Sequence, residues 1–181
     1  HRGAGMIVVV GSPVAAPDGT SFSPVGLAAQ TAIDIAARGE RVELIGRVGR
    51  DDAGDAIVLA LGRAGVGHAA LLRDAARSTP IGDAVDGIPF DGGDLQLALR
   101  YLTAFDAAIF IAPDGARRES EALLALMRDG AAFAGARLIV VASDNFGDAG
   151  AGAEAPGTIH IVRGGDSTEE LAAHLAARAI A

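Results

Sequence analysis

Hydrophobic and polar positions along this chain alternate between two textures. Short β-branched runs, such as Ile7-Val8-Val9-Val10 and Ile109-Phe110-Ile111, are apolar without interruption. Between them lie longer Ala/Leu-rich runs whose apolar residues recur at helical spacing. A strand that is apolar on both faces belongs to a sheet covered on both sides, and strands that alternate with helices are parallel strands joined by crossovers. The pattern predicts strands at Met6–Val10, Val42–Val48, Ala107–Ala112, Leu138–Ala142 and Thr158–Val162, with a sixth at His68–Arg73. Helices are predicted over Gly26–Arg38, Ala53–Ala64, Gly93–Ala104, Arg117–Phe133 and Ser167–Ala179. The expected architecture is one α/β domain over residues 1–181, a three-layer α/β/α sandwich with a mostly parallel sheet.

Punctuation along the chain supports these assignments. Gly39 and Gly65 fall where a left-handed residue ends a helix, and Ser167-Thr168-Glu169-Glu170 has the spacing of a capping box. Two stretches are rich in breakers: Ser12–Pro24, with three prolines, and Asp144–Gly157, with four glycines and a proline. Both read as loops at the C-terminal ends of strands, the edge at which open α/β sheets bind ligands.

Composition narrows the function classes. With 50% hydrophobic and 21% charged residues among 181, the chain has apolar mass for a sizeable core. A formal charge of -8 opposes a nucleic-acid surface, which needs clustered cations to displace counterions. All 15 cations are Arg, so a phosphate-loop lysine, a Schiff-base lysine and a Ser-Lys pair are excluded. Without cysteine there is neither a disulfide nor a thiolate site. The four histidines are scattered, no metal site is expected, and Asp83, Asp86, Asp91 and Asp94 read as turn and helix-start residues. No apolar run approaches the ~20 residues of a membrane helix, and no secretory layout opens the chain. A cytoplasmic protein without a membrane partner is the expectation.

Four segments carry a resemblance. They are Val25–Gly67, with Gly46-Arg47-Val48-Gly49 and Asp51-Asp52-Ala53-Gly54-Asp55; Gly93–Ala112; Leu138–Asp144; and Arg163-Gly164-Gly165-Asp166. The first resembles the sugar-binding half of the ribokinase-like (PfkB) carbohydrate kinases, the second resembles the helix and strand at the middle of that fold, the third its strand ending in an Asp-x-Asn turn, and the fourth stands where the family has Gly-Ala-Gly-Asp. The resemblance implies that Asp18, Gly26 and Gln30 occupy sugar-contacting positions. It also implies that Gly164 and Gly165 supply an anion hole for phosphoryl transfer, and that Asp166 is the base that takes the sugar proton. The alternative for Asp166 is a place with Ser167 in the cap of the last helix.

Departures from the family pattern shape the functional expectation. Val25 stands where the family has its first glycine, and Gln30 where it has Asn. The segment between Ser12 and Val25 is too short for the usual β-lid, no Asn-x-x-Glu segment follows Leu138–Asp144, and the chain ends soon after Asp166. The expectation is a truncated, degenerate member lacking both the lid and the nucleotide-binding half. It would be a pseudoenzyme without a cofactor that binds a small polar ligand, such as a sugar or nucleoside, or a partner chain. The alternative is an active ATP-dependent sugar or nucleoside kinase, using Asp166, ATP and magnesium, with missing walls borrowed from a second subunit. Surface uncovered by lost domains predicts a homodimer.

Overall fold

A computed structural model describes residues 5–82, 86–114, 117–143 and 158–181. Its elements in chain order are β1 (Met6–Val10), β2 (Val14–Asp18), β3 (Ser21–Val25), α1 (Leu27–Ala37), β4 (Arg41–Gly49) and α2 (Asp52–Arg63). There follow β5 (Leu71–Asp74), α3 (Gly92–Tyr101), β6 (Ala107–Ile111), α4 (Arg117–Ala134), β7 (Arg137–Ala142), β8 (Thr158–Val162) and α5 (Thr168–Ile180). Among the described residues, the main sheet has six strands in the order β5-β4-β1-β6-β7-β8, every pairing parallel.

Period-two alternation explains why the strands are apolar throughout. Ile7 and Val9 of β1 face a layer in which Ile35 of α1, Ile57 and Leu61 of α2, and Leu175 of α5 are buried. Val8 and Val10 face the other side, against Leu95 of α3 and Leu124 and Met127 of α4. This is the expected α/β/α sandwich, with helices α1, α2 and α5 on one face and α3 and α4 on the other. Gly39 and Gly65 adopt φ of 85° and 83°, the left-handed helix ends anticipated for them. No described helix is long and apolar enough to cross a membrane.

One stretch differs from expectation. Ser12–Pro24 is not a loop: β2 and β3 form an antiparallel ribbon, paired from Val14↔Val25 to Asp18↔Ser21. The expected loop is therefore corrected to a two-stranded ribbon, which packs against α2. Its prolines pass as breakers in the sequence, yet Pro24 and Pro17 sit in the alternate pairs Ala15↔Pro24 and Pro17↔Phe22. In these pairs the amides face away from the partner strand, as Ala15 shows by donating outward to the Pro80 carbonyl at 2.9 Å. Proline lacks only an N–H that the ladder does not use there. Gly82 N donates back to the Ala15 carbonyl at 3.0 Å, so the chain around Ile81 extends the ribbon by a parallel bridge. The anticipated loop Asp144–Gly157 and residue Asp83 lie outside the described residues.

Candidate functional site

The strand order places a crevice where open α/β sheets bind ligands. From β1 the chain runs through α1 to β4 on one side, while β6 pairs along the other side. At such a switch point the connections leave in opposite directions and part at the C-terminal strand ends. A cavity of about 730 Å³ occupies that position. Gly11 and Ser12 after β1, and Phe110 through Pro113 at the end of β6, line it from below. Gly26, Leu27 and Ala28 at the start of α1 and Ser120 of α4 contribute to its walls, as do Arg47, Asp94 and Arg163.

Gly26 opens α1 with φ 91° and ψ 163°, a conformation essentially confined to glycine, and no side chain among the described residues caps the helix. The first intrahelical bond is Gln30 N to the Gly26 carbonyl at 3.0 Å, so the preceding amides of the first turn are left for the cavity or solvent. Packing holds this helix end tightly against β1. A Cβ on Gly11 would come within 2.8 Å of Ala28 Cβ.

Arg47 is the centre of the polar wall. It sits in β4 between buried residues, with its side chain one-quarter exposed. Its guanidinium donates to Asp74 at 3.1 Å and to Asp94 at 2.6 Å. Burial alone would lower the Arg47 pKa, but the two carboxylates more than offset it and raise it above its usual value. Its Nε is buried without a partner among the described residues, leaving a donor to be satisfied. Asp94 is shared: its Oδ2 also accepts from Asp91 N at 3.1 Å, while Asp94 N donates to Asp91 Oδ1 at 2.9 Å. That reciprocal pair is a capping box for α3. Ser12 Oγ accepts from Arg47 N at 2.9 Å and donates to the Ile88 carbonyl at 2.5 Å, tying the end of β1 to β4 and to the segment before α3.

A second carboxylate cluster braces the same edge. Asp51 caps α2 through Gly54 N at 2.8 Å, and accepts from Thr79 N at 2.8 Å and Thr79 Oγ1 at 2.7 Å. Burial alone pushes the Asp51 carboxyl up, but these hydrogen bonds and the Arg73 charge hold it below the usual carboxylate range. Asp74 is also held low, first by the Ala76 amide and then, against its burial, by Arg47 and the Arg77 amide. A depressed carboxylate stabilises the fold above its unfolded pKa of ~3.9, and that contribution is lost as pH falls through the folded value. Urea midpoints should therefore hold between about pH 6 and 5 and fall steeply below about pH 4. Asp51→Asn should flatten that acid slope; a variant whose slope matches wild type would remove Asp51 from the explanation.

Of the residues singled out in the sequence, Gly26 lines the cavity. Asp18 is exposed at the end of β2, and Gln30 is half-buried within α1; neither is on the lining. Gly164, Gly165 and Asp166 are exposed between β8 and α5, also off the lining, although Arg163 and Thr168 on either side of them are on it. Ser167 caps α5, accepting from Glu170 N at 3.2 Å. Sequence reasoning missed Arg47 and Ser12. The available signal was a charge inside Leu44-Ile45-Gly46-Arg47-Val48, because a charged residue in a buried strand requires partners.

No protein-family model matches the sequence, and no curated protein matches it. Solved structures do match. A fructokinase from Xylella fastidiosa superposes with a TM-score of 0.60 at 16% identity, covering 75% of this chain and 50% of that one. A carbohydrate kinase from Agrobacterium tumefaciens gives 0.58 at 18% identity, covering 76% and 53%. An aminoimidazole riboside kinase from Salmonella enterica, solved with aminoimidazole riboside and an ATP analogue, gives 0.56 at 16%, covering 75% and 49%. The chain spans about half the length of the structures it matches. At these identities the likeness is one of fold: the chain has the ribokinase-like α/β fold.

Proposed function

We propose that this chain binds a small polyhydroxy ligand, a sugar or nucleoside, in the crevice between β1 and β6 and does not itself transfer phosphate. The observation that carries the reading is the paired Arg47 and Asp94 on the wall of a crevice that also receives the uncapped start of α1. A sugar hydroxyl both donates and accepts, so a wall offering a guanidinium N–H beside carboxylate oxygens satisfies it from both sides. The carbohydrate and riboside kinases that share the fold bring the same ligand class to mind. The exposed positions of Gly164, Gly165 and Asp166 support binding without chemistry, because phosphoryl transfer depends on groups already in place around the phosphate.

A second reading is favoured by Arg163 and Thr168, which flank Asp166 and line the same crevice. In it the chain is an ATP-dependent sugar or nucleoside kinase with Asp166 as base. Isothermal titration with ribose, fructose, adenosine and inosine, run beside an assay for ADP release with ATP and magnesium, separates the two. The expected result is saturable binding of at least one of these ligands and no ADP. ADP release that disappears in Asp166→Asn would establish the kinase, and absence of binding by all four would end the polyol reading.

A further inference from the structure

The part of the crevice built by α1, α4 and the approach to α5 differs chemically from the wall carrying Arg47 and Asp94. Three independent features line it. The first turn of α1 presents amides that no side chain among the described residues caps, behind a glycine-only Gly26. Ser120 of α4 lines the crevice and is 1% exposed, yet its buried Oγ has no hydrogen-bond partner among the described residues. Arg163 also lines it, half-buried, and its guanidinium has no ion pair or hydrogen bond among the described residues. The other two arginines on the lining are committed: Arg47 to Asp74 and Asp94, and Arg77 to the Pro89 carbonyl at 3.4 Å.

Four carboxylates also line the crevice. Asp91 and Asp94 are engaged in the α3 cap and with Arg47, while Asp86 and Glu119 are exposed to solvent. Beside the Arg47 Nε on the other wall, what stays unsatisfied among the described residues is one helix N-terminus, one buried hydroxyl and one cation. Each of these favours a negative oxygen: the helix end through its aligned peptide dipoles, the hydroxyl by donating, and the guanidinium through paired charged hydrogen bonds.

We propose that the ligand is an anionic polyol, a sugar bearing a carboxylate or phosphate. Its acid group lies against the start of α1, Ser120 Oγ and Arg163, and its hydroxyls lie toward Arg47 and Asp94. This rests on the reading of the crevice as a polyol site and adds the charge of the ligand to it.

Isothermal titration compares glucose with gluconate, and ribose with ribose 5-phosphate, at low salt. At least one acid should bind about tenfold tighter than its neutral counterpart, as one charged group meeting a helix end and an arginine can provide. Preference for gluconate identifies the carboxylate as the source of the charge, and preference for ribose 5-phosphate identifies the phosphate. Arg163→Gln should reduce the preference to less than about threefold, Arg163→Lys should restore part of it, and Ser120→Ala should also reduce it. On the unmodified chain, raising salt to about 0.5 M should weaken the acid and leave the neutral sugar unaffected, which tests the charge without any variant. Neutral sugars that bind as tightly as their acids would overturn the anionic ligand and leave the polyol site standing. An acid preference that survives both Arg163→Gln and Ser120→Ala would also overturn it, and failure of every sugar to bind would overturn both readings.

Discussion

Arg47→Ala should abolish measurable sugar binding and lower the unfolding free energy by about 2–3 kcal/mol, less than for a fully buried pair because the side chain is one-quarter exposed. The loss has two parts. Asp74, whose side chain is 7% exposed, keeps its amide donors but loses the cation that offsets its burial. Asp94 keeps the α3 cap and loses the partner at 2.6 Å that positions it on the crevice wall. A cycle of Arg47→Ala, Asp94→Asn and the double variant, read by urea unfolding and by titration, isolates the coupling. Additive effects on both readouts would show that the pair is not the organising contact of the wall.

The second large effect is steric. In Gly49→Ala the new Cβ would stand 2.7 Å from Thr79 N and 2.8 Å from the Arg77 carbonyl, both backbone atoms that have nowhere soft to go. The segment around Thr79 must move, and Asp51 then loses the donors that hold it. A cost of about 2–4 kcal/mol is expected, the range of overpacking combined with a broken buried network. Gly164→Ala is the matched control: nothing among the described residues lies within 4 Å of its Cβ, and it should stay within about 0.5 kcal/mol of wild type. Equal urea midpoints for the two variants would defeat the close-approach account of Gly49.

These residues also show where sequence reasoning reaches and where it stops. Strands buried on both faces announce themselves by unbroken β-branched runs, and Met6–Val10 and Thr158–Val162 have the very bounds that the pattern predicts. Helix ends are equally local, as Gly39, Gly65 and Ser167 illustrate. The ribbon of β2 and β3 was hidden because three prolines signal a loop unless the ladder register is known, and register is a property of two strands together. The crevice was hidden for a related reason. Arg47 finds Asp74 and Asp94 at separations of 27 and 47 residues, and Ser12 reaches Ile88 across 76. Nothing in the local pattern ranks those partners above other carboxylates. Gly26 and Asp18 were both assigned through the family resemblance; Gly26 lines the crevice, whereas a five-residue strand carries Asp18 to an exposed end of the ribbon.

The central position of β1 has a consequence for when the site can exist. One edge of β1 is held by β4 and the other by β6, with Val10 beside both Ile45 and Phe110. During synthesis Gly11, Gly26 and Arg47 emerge before Phe110, so the first bank of the crevice is made well ahead of the second. A ligand captured in the crevice would therefore act as a seal on completed folding, adding stability only once both banks have met.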